Sequence, residues 1–157
     1  MNPLEGVAIR RMAAADLDRV LAIAESLPQA PHWPQSDWLK ALDSESAPPR
    51  VALVAAGPQP SLIHGFAIAS LLPPQAELET IAVVPERQRL GLGERLLQAL
   101  AAELKAAGAH ELVLEVRASN RPALAFYRTL GFAQTGLRAG YYADPKEDAV
   151  LMSLALG

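Results

Sequence analysis

Hydrophobic residues follow a helical period in the second half of the chain. Four leucines recur at every fourth position from Leu92 to Leu104, with Leu97 and Ala101 beside them. This spacing puts them on one face of a long helix. Gly108 follows, and glycine is favoured just past a helix end because it adopts positive φ without strain. The β-rich run 112–116 then predicts a buried strand.

A second helix is predicted to begin after Asn120. The side chain of Asn120 can cap the helix, and Pro122 falls in the first turn, where a missing N–H costs little. The helix should end at Gly131. Alternating or β-rich runs at 133–138 and 150–154 predict two final strands.

The first half has a weaker pattern. Residues 7–10 read as a short strand, and Asp16 is expected to cap a helix that reaches about Ser26. Prolines at 28, 31 and 34 predict an irregular segment, and 44–49 a loop. Ser36 is a candidate cap for a short helix in which Trp38, Leu39 and Leu42 could pack.

Three further strands are predicted at 51–56, 62–72 and about 77–84, separated by proline-containing turns at 57–60 and 73–74. No charged residue occurs from Val51 to Ala76, but glycines and prolines break this stretch into pieces of strand length, which argues against a membrane span. The element order predicts an α/β (α+β) protein with a mixed sheet, and residues 1–157 are expected to form one domain.

Composition excludes several kinds of function. The 157 residues are 51% hydrophobic and 20% charged, and the chain has no cysteine. Disulfides, thiolate metal sites and a cysteine nucleophile are therefore absent, and no metal is expected, since the three histidines (His32, His64 and His110) lack ligand spacing. A net charge of −3 argues against nucleic-acid binding. We expect a soluble, cytoplasmic protein without a membrane partner.

The segment 77–100 carries the clearest chemistry. A strand leads into a loop with Gly91 and Gly93, and the loop opens directly into the leucine-striped helix. Unpaired N–H groups at a helix start bind anions, and glycines let a ligand approach the backbone closely. Arg87 and Arg89 add positive charge. Neither GxxxxGK[ST] nor GxGxxG is present, so the segment predicts a pyrophosphate site of another kind. A glycine turn before a surface helix is the plainer interpretation.

Three motifs resemble those of a known family. The run Gln88-Arg89-Leu90-Gly91-Leu92-Gly93 is similar to the pyrophosphate loop of GNAT acetyltransferases. The stretches LEVRASNRPALAFYRTLGF (114–132) and YYADPKEDAVLMSL (141–154) resemble the ribosomal-protein-alanine N-acetyltransferase (RimI) branch. The resemblance implies a GNAT fold: a mixed, mostly antiparallel sheet of six or seven strands, about four helices and a splayed cleft for the cosubstrate acetyl-CoA.

The resemblance also implies roles for individual residues. Glu115 matches the family's general base and Tyr127 its general acid, while Asn120 would contact acetyl-CoA near its reacting end. The other acetyl-CoA contacts are implied for a strand that pairs with the pantetheine arm (Ile81, Ala82 and Val83) and for the loop around the pyrophosphate (Arg89, Leu90, Gly91, Leu92, Gly93 and Glu94).

Each of these roles has an alternative. Glu77 stands where another GNAT branch places its base, and Glu79 shares its face at strand period two. Glu115 could instead be a structural partner of Arg117. Tyr127 has the spacing of a core aromatic residue. The adjacent tyrosines at 141 and 142 could line the acceptor groove or pack on the surface.

The acceptor is less defined than the acetyl donor. The resemblance to the RimI branch implies a protein N-terminus, such as that of a ribosomal protein. Trp33-Pro34-Gln35-Ser36 departs from that branch by placing Gln35 where the family has an aromatic residue, and Glu79 replaces an apolar one. A lysine side chain, a small amine, or CoA binding without catalysis are the alternatives.

Overall fold

The computed structural model describes residues 6–27, 33–43, 45, 47–59, 62–143 and 145–157. The strands in these ranges are β1 (Ala8–Arg11), β2 (Arg50–Ala56), β3 (Ile63–Leu72), β4 (Gln75–Val83), β5 (Glu111–Arg117), β6 (Ala133–Ala143) and β7 (Lys146–Ala155). The α-helices are α1 (Leu17–Ser26), α2 (Gln35–Leu42), α3 (Leu92–Ala106) and α4 (Arg121–Thr129). Single 3₁₀ turns span Ala14–Asp16 and Pro85–Arg87.

The strands form one sheet in the order β1-β2-β3-β4-β5-β7-β6. β4 and β5 pair in parallel, and the other neighbours pair antiparallel. A parallel pair needs a long crossover, which here contains α3. The predicted fold class, a mixed and mostly antiparallel sheet of six or seven strands with about four helices, is therefore confirmed.

Helices cover both faces of the sheet. The leucine stripe of α3 and the apolar side of α4 pack on one face together with residues such as Leu78 and Leu112. α1 and α2 pack on the other face, where Trp38 contacts the edge of the Phe66 ring at a centroid distance of 5.6 Å. We call these the α3–α4 face and the α1–α2 face.

The predicted ends of the later helices are confirmed. Gly108 follows α3 with φ +104°, and Gly131 follows α4 with φ +101°. Asn120 caps α4, where its Oδ1 accepts a 3.3 Å hydrogen bond from the Ala123 N–H. Local sequence signals set all three positions, because a left-handed residue or a side-chain acceptor is needed at each.

Several details of the first half differ from prediction. Asp16 stands at the predicted N-cap position of α1, but its side chain makes no capping hydrogen bond to that helix. Its carboxylate instead accepts hydrogen bonds from Arg10 (2.8 and 2.9 Å) and from the Ala13 N–H (2.8 Å). α2 starts before Ser36, with Pro34 in the cap position, and Leu39 is exposed. The predictions for Pro28, Pro31, His32, Ser44, Ser46 and Pro60 lie outside the described residues.

A β-bulge interrupts β4. Ile68 lies opposite Thr80 and Ala69 opposite Leu78, which leaves Glu79 as an extra residue. Bulges bend a strand and increase its twist. Beyond this region β4 and β5 no longer pair: their ladder covers only Gln75–Glu77 and Glu111–Val113. The bulge therefore accompanies the split of the sheet between β4 and β5.

Candidate active site

The split leaves one edge of β4 open. β4 runs six residues past its last pairing with β5, from Leu78 to Val83, and β5 runs on from Leu114 to Arg117. On the other side, Ile81, Ala82 and Val83 pair with β3. Backbone groups along an unpaired strand edge are available to an extended ligand. The splayed cleft implied by the sequence is present.

The loop between Gln88 and Gly91 turns at the wide end of this cleft. Gln88 ties the loop to the strand through a 2.9 Å hydrogen bond from its Nε2 to the Val83 carbonyl. Arg89 has φ +64° and Gly91 has φ +86°. Left-handed residues in a turn direct successive N–H groups inward and form anion-binding concavities, and the first turn of α3 adds its own N–H groups.

The two loop glycines have different surroundings. A Cβ on Gly91 would meet no atom within 4 Å, so this position faces open space. A Cβ on Gly93 would lie 2.8 Å from the Phe126 ring. Gly91 thus borders the cleft, whereas the small size of Gly93 is required for the packing of α3 on α4. A larger side chain at Gly93, such as valine, would therefore disturb the fold.

Glu77 and Glu115 lie on the α1–α2 face, one on each side of the split. Glu77 is opposite Val113 of β5, and Glu115 is two residues further along that strand, so the three side chains share a face. Partial loss of solvation, followed by the charges of Glu115 and Glu79, raises the pKa of Glu77. The two candidate bases, Glu77 and Glu115, therefore interact electrostatically.

Glu115 is not paired with Arg117. Its Oε1 lies 3.7 Å from Nη1 of Arg138 on β6, and its side chain is 25% exposed. A hydrogen bond to Glu115 and the charge of its carboxylate raise the pKa of Tyr141. The alternative that Glu115 pairs with Arg117 is therefore wrong, because the partner of Glu115 is Arg138.

Arg117 instead organises the β6–β7 hairpin. Its Nη1 donates a 3.3 Å hydrogen bond to Glu147, and its guanidinium lies 4.2 Å from the centre of the Tyr142 ring. Glu147 also accepts the Ser119 N–H at 3.1 Å. Sequence reasoning missed this cluster, although LEVR, Tyr-Tyr and Glu-Asp all stand within the motifs it used.

A hydrogen bond to Asp148, the residue after Glu147, shapes the same β6–β7 hairpin. The carboxylate of Asp148 accepts a 2.8 Å hydrogen bond from the N–H of Gly140, which has φ +62°. The register of β6 slips between Arg138 and Tyr142 at this point. The irregularity places Tyr141 beside Glu115 and Tyr142 beside Arg117.

Tyr127 packs on the α3–α4 face of the sheet. It stands on α4 with its ring 5.7 Å from Phe132, between centroids, and 5.6 Å from Phe126. Burial, aided by Tyr142, raises the pKa of Tyr127 to about 12. The phenol therefore stays protonated at neutral pH. Its packing also agrees with the core-aromatic interpretation, so its catalytic role stays a prediction.

A polar groove lies between α2 and the strands β2 and β4. It has a volume of about 600 Å³. Arg50 and Glu79 form a 2.8 Å ion pair in its lining, and Trp33 stacks against Trp38 at 4.7 Å between centroids. The groove is lined by Trp33, Asp37, Lys40, Asp43, Ala47, Arg50 and Glu79.

The described residues contain neither a metal-binding cluster nor a membrane-spanning helix. No group of three or more His, Asp or Glu side chains in those ranges is arranged to hold a metal ion. No helix in the described part of the chain is long and apolar enough to cross a membrane.

The sheet is open, and it splits beside its parallel pair of strands, β4 and β5. Helix α3 starts at this split, directly after the turn at Gly91. This arrangement is the architecture of an acyltransferase fold. The model of the family described as "Acetyltransferase (GNAT) family" matches residues 13–132. The chain therefore belongs to the GNAT family of acetyltransferases, and the family predicted from the sequence is confirmed.

Its relatives include enzymes of the branch predicted from the motifs. The chain is 46% identical over 93 residues to the [ribosomal protein bS18]-alanine N-acetyltransferase of Escherichia coli K12; the match covers 58% of this chain and 63% of that protein. It is 31% identical over 145 residues to a putative enzyme of the same name from Bacillus subtilis, covering 92% and 93%.

A crystal structure extends the likeness to the whole fold. The ribosomal-protein-S18-alanine N-acetyltransferase of Escherichia coli superposes with a TM-score of 0.79 at 33% identity, covering 96% of this chain and 94% of that one.

Proposed function

We propose that the chain transfers the acetyl group of acetyl-CoA to the N-terminal amine of a protein. The observation that carries this proposal is the split between β4 and β5. It has an anion-binding loop at its wide end and paired carboxylates on the α1–α2 face, and the partly buried phenol of Tyr127 packs on the α3–α4 face. The name of the Escherichia coli relative supports the acceptor class.

The residues present fit acetyl-CoA. The open edge at Ile81–Val83 offers N–H and C=O groups to a pantetheine arm, and Gly91 leaves room for a pyrophosphate. Arg89 through Glu94 would hold the pyrophosphate with main-chain N–H groups, and Asn120 lies at the start of α4. When bound, acetyl-CoA supplies an acetyl group already activated as a thioester.

Glu115 is the proposed general base. It accepts a proton from the acceptor ammonium, directly or through water, and so releases the nucleophilic lone pair. Glu77 raises the negative charge around the incoming cation and is the alternative base. The two carboxylates lie on the face that carries the polar groove, along which the rest of an acceptor peptide could run.

Tyr127 is the proposed proton donor to the leaving sulfur. A thiol has a pKa of about 8.5, whereas that of Tyr127 is about 12. Complete proton transfer to a thiolate would therefore be uphill by about 3.5 units. We propose that the phenol stabilises the departing sulfur mainly by a hydrogen bond.

Amine acidity favours an N-terminal acceptor over a lysine. An α-amino group has a pKa of about 7.7–8.0 and a lysine ammonium one near 10.4. The difference of about 2.5 units makes lysine costlier to deprotonate by roughly 3.4 kcal/mol at equal geometry. One carboxylate base is better matched to the easier amine.

The test is a competition between acceptors. Peptides beginning with Ala should be acetylated faster than the same peptides with a blocked N-terminus and an internal lysine. Mass spectrometry after incubation with acetyl-CoA measures both products in one tube. Faster reaction of the blocked lysine peptide, or of small free amines, would replace the proposed acceptor. If none of the amines is acetylated, that result would overturn the enzymatic proposal itself.

A further inference from the structure

Arg138 is the cation that the fold brings to the two candidate bases. On the α1–α2 face, Arg138 is opposite Ala149 of β7, and Ala149 is opposite Arg117 of β5. Alanine presents only a methyl group. The longer Arg138 side chain can therefore cross β7 diagonally and approach Glu115, where its Nη1 lies 3.7 Å from the carboxylate.

A second contact holds the same guanidinium in place. Its Cζ lies 5.3 Å from the centre of the Tyr141 ring, within cation–π distance. The Glu115 carboxylate also raises the pKa of Tyr141. Arg138 therefore contacts both the Glu115 carboxylate and the Tyr141 ring, which limits the positions that its guanidinium can take.

The other cations nearby are engaged elsewhere. Arg50 is bound to Glu79, and Arg117 to Glu147. Among the ion pairs of the described residues, Arg138 alone joins a cation to either Glu77 or Glu115. The charged and titratable groups around the pair are Arg50 on β2, Glu79 on β4, Arg117 on β5, Arg138, Tyr141 and Tyr142 on β6, Glu147 on β7, and Asp37 and Lys40 on α2.

We propose that Arg138 is a positioning residue for the base: it aims the Glu115 carboxylate across the split and offsets the repulsion between Glu115 and Glu77. Two neighbouring carboxylates disfavour each other's ionised form, and a cation beside them reduces this effect. The charge of Arg138 opposes the upward shift of the Glu77 pKa. Glu77 can then stay ionised when a cationic acceptor arrives. The catalytic consequence rests on the proposed acetyltransferase function.

The first experiment measures kcat/KM against pH with an Ala-peptide. In Arg138→Gln the acidic limb should move up by about half a pH unit, because a charge near the pair is lost. Arg138→Lys keeps the charge and should restore the position of the limb. In a Glu77→Gln background the additional shift caused by Arg138→Gln should shrink, since the repelling neighbour is gone. Arg128→Gln removes an exposed arginine of α4 and serves as the matched control.

The second experiment does not depend on activity. Titration of ¹³C-labelled glutamate carboxyl groups by NMR in the free protein should show the pKa of Glu77 rising further in Arg138→Gln and not in Arg128→Gln. An unchanged Glu77 titration, or a rate reduced equally at every pH, would reduce Arg138 to a structural residue. If the Glu77 titration moves while the wild type acetylates no amine, the electrostatic proposal stands and the proposed function fails.

Discussion

Nε of Arg50 donates a 2.8 Å hydrogen bond to the carboxylate of Glu79, the extra residue in the bulge of β4. Both side chains are about four-fifths buried. The pair joins β2 to the strand that borders the acetyl-CoA cleft. It explains why a glutamate is tolerated where the resemblance leads one to expect an apolar residue.

Breaking this pair should destabilise the fold. Glu79→Gln leaves the largely buried guanidinium of Arg50 without its anion and should lower the free energy of unfolding by about 1–3 kcal/mol. In the double variant Arg50→Gln/Glu79→Gln the total loss should be smaller than the sum of the single losses. Urea unfolding of the four proteins measures the coupling. Additive losses would mean that the pair contributes no interaction of its own.

Gly91 should control acetyl-CoA binding without controlling the fold. Gly91→Asn adds a side chain that points into open space, and asparagine tolerates positive φ better than other non-glycine residues. We expect KM for acetyl-CoA to rise at least about tenfold, equivalent to roughly 1.4 kcal/mol, with little change in Tm. Gly108→Asn is the matched control, because Gly108 also has positive φ but lies at the other end of α3. Equal KM values in the two variants would move the pyrophosphate away from Gly91.

Tyr127→Phe should lower kcat by about one to two powers of ten, or 1.4–2.7 kcal/mol. KM for acetyl-CoA should change little, because only the hydroxyl is removed. An acid is active while protonated, and the pKa of Tyr127 is raised to about 12. Loss of this proton therefore cannot cause a fall in wild-type kcat below about pH 10. Wild-type turnover in the variant would return Tyr127 to the role of a core aromatic residue.

Short-range signals account for the part of the fold that was predictable. The leucine stripe of α3 follows the helical period, and the Asn120 cap and Gly131 terminus act within a few residues of α4. The strand positions followed from β-rich runs between turns. The loop at Gly91 could be placed because the strand, the glycines and the helix are consecutive in the sequence.

The contacts of the candidate site depend on strand register, which the sequence does not display. Glu115 has Arg138 as its partner and not Arg117 because β7 lies between β5 and β6, and because the register slips before Tyr142. The bulge at Glu79 likewise exists only relative to β3. A one-residue change in pairing would move these side chains to the other face.

The ion pair of Asp16 should make stability depend on pH. Hydrogen bonds from Arg10 lower the pKa of Asp16 in the folded protein, with a further contribution from the Ala13 N–H. A lowered folded pKa means that the stabilisation is complete above the unfolded value of about 3.9 and is lost as the pH falls through the folded pKa.

Asp16→Asn should therefore lower the free energy of unfolding at pH 7 by about 2 kcal/mol and flatten its decline below pH 4. Glu25→Gln, an exposed change on α1, the helix that follows Asp16, serves as the control. Urea unfolding between pH 2 and pH 7 measures both. An unchanged pH profile in Asp16→Asn would show that the pair does not contribute to the acid limb.

The last prediction separates the two candidate bases by their pH dependence. Glu115→Gln removes the proposed proton acceptor but keeps the shape of the side chain and its place beside Arg138 and Tyr141. At pH 7 most of an α-amino group with a pKa near 8 is protonated, so a base is needed and kcat/KM should fall by two to four powers of ten. At pH 9 the amine is already mostly neutral, and the loss should shrink to about one power of ten.

Glu77→Gln removes a neighbouring charge and leaves Glu115 in place as the proton acceptor. It should therefore lower kcat/KM less than about tenfold at pH 7. It should also move the acidic limb of the rate profile to lower pH, because a repelling carboxylate is gone. Steady-state rates with one Ala-peptide across this pH range, at saturating acetyl-CoA, decide between them. Full activity of Glu115→Gln at pH 7 together with loss in Glu77→Gln would assign the base to Glu77.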